Sequence, residues 1–211
     1  MSIDIKRELK NPINQQYIAE ILFPFIGYLF FDWSLLIIVV FYLLDQLASQ
    51  ILFAKRLHTI NKYWNENKGQ RYLLASLVLF FLIFFVELFV LNQSFSKISD
   101  LTGICYNDEL IEFSKNELWF LFPLLLAMYY LQDKMLFYLP KLYEQHLTQP
   151  YFIKNGVENL IILILVSLST YIYFLFSIPD MVVILCIVVV KLIFDLVIKK
   201  RLDILINGMR L

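Results

Sequence analysis

The sequence predicts an all-α, polytopic membrane protein: six transmembrane helices in one domain spanning residues 1–211, with both termini in the cytoplasm. Three observations lead there. Hydrophobic residues make up 60% of the 211 and the mean hydropathy is +0.70, too apolar for an ordinary soluble domain. Six long apolar stretches run along the chain, and a helix needs about 20 such residues to cross the hydrocarbon core. Lysine and arginine fall on every second junction between the stretches.

The predicted spans, in order, are Tyr17–Phe31, Ser34–Ala54, Tyr72–Asn92, Leu118–Leu139, Val157–Phe176 and Met181–Ile198. The first is short and carries Pro24 and Gly27, which predicts a kink or an earlier start near Asn14. Its basic start resembles a secretory signal, but no small-x-small cleavage site follows and Asp32-Trp33 leads into the next apolar run, so it is read as a retained span. The connections Phe31–Trp33 and Ser177–Asp180 are short enough to make tight helical hairpins, with Asp180 as N-cap of the sixth helix. The fourth span includes Gln132, Asp133 and Lys134. Between spans three and four, Gln93–Glu117 is mildly acidic, and its Leu110, Ile111 and Phe113 either extend the fourth helix or lie on the interface. Leu22-Phe23-Pro24 and Leu121-Phe122-Pro123 open the two three-helix halves, too short a match to establish a duplication.

Fourteen of the 18 basic residues lie on the side of the N-terminus, two (Lys97 and Lys115) on the other, and Lys134 and Lys191 fall inside spans. The positive-inside rule then places both termini in the cytoplasm, as expected for a multi-pass protein of the bacterial inner membrane. Trp33, Trp64 and Trp119 fall at predicted membrane–water boundaries, where amphipathic rings prefer to sit. Charge balances at 18 basic and 18 acidic residues, so nothing points to nucleic acid. Cys105 and Cys186 stand in a loop and a span, and suggest neither a disulfide framework nor a metal site.

Each span carries an acid: Glu20, Asp45, Glu87, Asp133, Glu158 and Asp195. Glu158 suits the N-terminal start of its helix, and Glu87, about five residues from the outer end of its span, is placed within reach of the headgroups. With roughly 1.5 Å of rise per residue, Asp45 and Lys191 lie near mid-bilayer. Lys191 and Asp195 share a helix face. Tyr42, Asp45, Gln46 and Ser49 form a polar stripe on helix two; Asn159, Thr170, Tyr173 and Ser177 form one on helix five. An unpaired charge at mid-bilayer costs about 3 kcal/mol or more, so these faces should point at one another. The expectation is a buried polar cluster of Asp45, Lys191 and Asp195, with Asp133, Lys134 and Glu20 at its edge. Four acids against two lysines leave two charges to be met by protons, a cation or a basic partner. Helix packing, proton or solute transport, and docking of a charged partner helix each account for such a cluster.

The segment Tyr42–Leu57, an acid mid-helix followed by Lys55-Arg56, is similar to the second helix of an uncharacterised family of bacterial polytopic membrane proteins. Lys191-Leu-Ile-Phe-Asp195-Leu looks like that family's Lys-x3-Asp near the C-terminus. Asp45 stands where the family more often has Glu, and the helix-four region departs from its His-bearing pattern. The resemblance implies a six-helix inner-membrane fold and no established activity.

No His-Glu-x-x-His arrangement or Gly-x-Ser-x-Gly elbow is present; His58 and His146 stand alone, and no cofactor is expected. A small secondary transporter or proton-coupled permease using the buried carboxylates is one reading. Against it, only Gly27 lies inside a span, whereas moving helices rely on small residues. Twenty phenylalanines and 13 tyrosines instead suit broad surfaces packed against lipid, other membrane subunits or a second copy. The expectation is therefore a non-enzymatic subunit or accessory of a larger membrane assembly, with Lys55–Arg71 as a basic docking or headgroup surface.

Overall fold

The computed structural model describes residues 23–65, 69–102, 106–176 and 180–193, with the side chains of 94, 96–102, 106–107, 165–176, 180 and 191–193 outside the description. The described residues form helices and no strand. After a helical stretch, α1 (described over residues 23–30), come α2 (Leu35–Trp64), α3 (Gly69–Thr102), α4 (Tyr106–Asn116), α5 (Leu118–Asp133), α6 (Thr148–Phe176) and α7 (Asp180–Ile193). Among the described residues, three helical stretches are long and apolar enough to cross a membrane: Leu35–Trp64, Gly69–Gln93 and Leu118–Tyr138.

The α1–α2 connection is as tight as predicted. Asp32 takes a left-handed φ of 51°, a conformation that Asp tolerates better than most residues. Phe31 and Trp33 both donate backbone N–H bonds to the Gly27 carbonyl at 3.1 Å. Ser34, in extended conformation, then caps α2: its Oγ accepts from the Ile37 N–H at 3.3 Å. At the far end Asn65, left-handed at φ 50°, terminates the helix.

The helices outrun the apolar stretches. α2 continues ten residues beyond Ala54, because Phe53, Leu57 and Ile60 keep a buried stripe at helical spacing after the charges begin. α6 likewise starts at Thr148, before the apolar run. Of the outward segment, part extends α3 to Thr102 and part folds as the separate helix α4, whose Phe113 is 3% exposed. α5 carries Pro123 and passes directly into a π turn, Lys134–Tyr138, closed by the Leu139 N–H on the Lys134 carbonyl at 3.0 Å. Lys141 then turns the chain at φ 54°. A left-handed conformation burdens a side chain with a Cβ clash that glycine lacks. Lys141→Gly should therefore raise stability by roughly 0.5–1 kcal/mol, readable as a higher unfolding midpoint in detergent.

α2 is the hub. Of its apolar stretch 61% is buried, against 22% for each of the other two. Contact pairs fix the helix directions. Trp33 meets Phe113, Asp45 meets Tyr129, Arg56 meets Asp133 and Trp64 meets Tyr143, so α2 and the segment through α5 run parallel. Gln50 meets Ser76 of α3, while Leu36 and Leu43 cluster with Leu91 and Phe95, so α2 and α3 are antiparallel. α6 is also antiparallel to α2, through Gln50–Asn155 and Arg56–Tyr151. One end of the bundle thus gathers Lys55, Arg56, Lys141 and Lys154; the other gathers Trp33 and Phe113.

Two of the tryptophans expected at membrane–water boundaries differ in their surroundings. Trp119 is 78% exposed, but Trp33 is 5% exposed and faces the core, ringed by Phe23, Phe41 and Phe113.

Candidate functional site: polar tiers around the central helix

The buried polar side chains of α2 lie at successive levels and reach different neighbours. At the first level, the Tyr129 hydroxyl of α5 donates to Asp45 Oδ1 at 2.8 Å. The next residue, Gln46, turns to α3 and lies beside Glu87. One turn on, Gln50 ties three helices together: its Nε2 donates to Ser76 Oγ at 3.0 Å and its Oε1 accepts from Asn155 Nδ2 at 3.1 Å. Two turns further, Arg56 Nε stands 3.4 Å from Asp133 Oδ1, and its Nη1 donates to the Tyr151 hydroxyl at 3.0 Å. Burial pushes the Tyr151 phenol up, with Arg56 pulling the other way, so Tyr151 meets the guanidinium as a neutral acceptor. Lys154 and Glu158 of α6 form a looser pair, 3.9 Å apart on one helix face.

The predicted site residues are distributed over these levels. Asp45, Gln46 and Asp133 are buried, Tyr42 and Ser49 half-buried, and Lys134 exposed although it follows Asp133 directly. Lys191 lies on α7, and Thr170 and Tyr173 on α6, with side chains outside the description; Asp195 and Glu20 lie outside the described residues. Asp45 and Asp133 belong to separate levels: the first is bonded by Tyr129, the second is paired with Arg56.

Four functional groups escaped the sequence reading. The sequence reading treats Arg56 as a basic charge past the end of its span, in the Lys55-Arg56 pair and the Lys55–Arg71 surface, and does not name Tyr129, Gln50 or Tyr151. The signal for Arg56 was the apolar spacing that carries α2 past Ala54. That for Tyr129 was its position one turn before Asp133, on the same helix face.

Glu87 corrects an expectation. It does not reach toward the headgroups but is fully buried, with 0% exposed, in the stripe Ser76, Phe80, Ile83, Glu87, Leu91 that α3 turns inward. Leu74, Val78, Phe81, Phe85 and Phe89 occupy its outer face. Neither Glu87 carboxyl oxygen has a close hydrogen-bond partner among the described residues, and the neighbouring Gln46 Nε2 has none either: the two groups are near but not in bonding geometry.

Fold and site together define an all-helical protein whose apolar helices are compatible with a membrane and whose central helix is polar where it meets its neighbours. Compared with family models, curated proteins and solved structures, the chain has no match. The resemblance over Tyr42–Leu57 and Lys191–Asp195 is thus carried by those residues alone.

Proposed function

We propose that the chain is a non-enzymatic, multi-pass protein of the bacterial inner membrane that crosses six times with both termini cytoplasmic. It works as a subunit or accessory of a larger membrane assembly. The orientation is supported by the segregation of lysine and arginine, which agrees with the gathering of Lys55, Arg56, Lys141 and Lys154 at one end of the bundle. Labelling of single cysteines introduced in 55–71 and in 93–117 should modify them from opposite faces of the membrane; labelling from one face refutes the topology.

The observation that carries the assembly reading is how α2 uses its polar groups. Asp45, Gln50 and Arg56 are spent on α5, α3 and α6. Groups locked between helices hold packing rather than move past one another. The largest surfaces left to offer are apolar: the α3 stripe from Leu74 to Phe89, and Trp119, Phe120, Leu124, Met128, Leu131 and Met135 on α5. Some of these faces meet lipid, and one meets other membrane subunits or a second copy. Native mass spectrometry after mild solubilisation should give a complex of defined stoichiometry. Recovery as single copies that drive solute uptake in proteoliposomes would instead establish a proton-coupled permease, a reading favoured by one observation, the burial of Glu87 with no close hydrogen-bond partner among the described residues.

A further inference from the structure

We infer that Glu87 is a proton-binding site in the core of the bundle: a carboxylic acid that faces the Gln46 amide across the α2–α3 interface. The inference uses the membrane reading for its low-dielectric surroundings and needs no partner subunit. It starts from an imbalance. A carboxylate taken out of water needs a counter-charge or several donors, and Glu87 is fully buried with neither oxygen in a close hydrogen bond among the described residues.

Among the described residues, no element packed against α3 brings a compensating charge to Glu87. On α2, Asp45 follows the same turn, but its carboxyl is bonded by Tyr129 and is itself an acid. On α6, which runs parallel to α3 with Gly156 against Leu79, the charged pair Lys154–Glu158 lies at the basic end. Glu87 is eight residues beyond Leu79, roughly 12 Å further along the axis. On α4, Asp108, Glu109, Glu112 and Lys115 belong to the opposite end. The one polar group among the described residues that bears on Glu87 is the Gln46 side chain. It is 8% exposed, with its own Nε2 unpartnered.

An amide and a neutral acid complete one another. With its amide oxygen turned toward α3, Gln46 accepts the acid proton of Glu87; turned the other way, it donates to the Glu87 carbonyl oxygen. In either orientation the neutral acid gains an amide partner, and no second charge has to enter the bilayer. Monovalent cations would require several more oxygen ligands than this pair presents.

A hydrophobic carbodiimide tests this on the whole protein in native membranes. The proton of a carboxylic acid moves to a carbodiimide nitrogen, and the carboxyl oxygen adds to the central carbon. The resulting O-acylisourea then rearranges by an oxygen-to-nitrogen acyl shift to a stable N-acylurea. The entire reagent is retained and nothing leaves. Dicyclohexylcarbodiimide should add its full mass to the peptide containing Glu87, more slowly as pH rises, and the adduct should be lost in Glu87→Gln. Protection by sodium at constant pH would overturn the inference in favour of a cation site. Infrared spectroscopy decides the case in which the reagent fails to enter. The carbonyl stretch of a protonated acid should be present at neutral pH in the native protein and missing in Glu87→Gln, whereas loss of a carboxylate band in that variant refutes the proposal. Because glutamine copies the shape of the neutral acid, Glu87→Gln should keep the native unfolding midpoint in detergent, and Glu87→Lys should abolish accumulation.

Discussion

Arg56→Met should cost about 3–5 kcal/mol, because it leaves the Asp133 carboxyl buried without its counter-charge. Asp133 has 6% of its side chain exposed and Arg56 23%, so the pair is largely shielded from water. Its second oxygen, Oδ2, has no close hydrogen-bond partner among the described residues, which leaves Arg56 as its principal support. The other nearby cation, Lys55, is exposed and sits over the Tyr130 ring at 4.5 Å. The same substitution removes the donor to Tyr151, so α2 loses its contact with α6 as well as with α5 at this level.

The double variant Arg56→Met, Asp133→Leu separates the causes. Replacing a buried ion pair by apolar residues of similar volume is often neutral, whereas breaking it by removing one partner is not. The double variant should recover most of the loss in a detergent-unfolding titration, with a coupling energy in the double-mutant cycle of at least 1 kcal/mol. A single variant within about 0.5 kcal/mol of the native protein would show that the pair does not organise the bundle. The outcome also bears on function. A folded double variant that still enters its complex supports a static lock; one that folds and assembles but loses solute uptake assigns the pair to a gate.

Periodicity and hydropathy were enough to mark helices over the middle of the chain. They also anticipated the hairpin at Phe31–Trp33, because those features depend on local residue type. Two things were hidden. Hydropathy ends a span where charge begins, so a boundary at Ala54 cuts α2 about half a turn before its most consequential side chain, Arg56. Phe53, Leu57 and Ile60 were the local trace of the missing turns. The second is facing. α3 is apolar on every side, so nothing in its own residues says whether Glu87 points at lipid or at α2; that is decided by which neighbours pack against Ser76, Phe80 and Ile83. The same ambiguity leaves the inward turn of Trp33, 5% exposed, unread in the sequence. Pairings such as Asp45–Tyr129, 84 residues apart, depend on helix order and are not written in any local pattern.

Gly27→Ala is the second variant with a large expected effect, and its sign runs against propensity. Within helix 23–30, alanine is favoured over glycine by about 1 kcal/mol. Yet a methyl group at position 27 would overlap the six-membered ring of the Trp33 indole. That ring has no room to retreat: Phe23 lies 5.8 Å away edge-on, Phe41 6.0 Å and Phe113 6.2 Å, the last from α4. Forcing extra volume into a packed site costs about 1–3 kcal/mol. Because the Gly27 carbonyl also accepts the Phe31 and Trp33 N–H groups, any shift of the backbone there loosens the turn that pins α1 to α2. The cause is isolated by placing Gly27→Ala in a Trp33→Leu background. Trp33→Leu alone is destabilising, since it empties part of the aromatic cluster. In the enlarged space the added methyl should become neutral or favourable, following propensity. An equal penalty in both backgrounds would mean that the backbone at Gly27, and not its contact with Trp33, sets the hairpin.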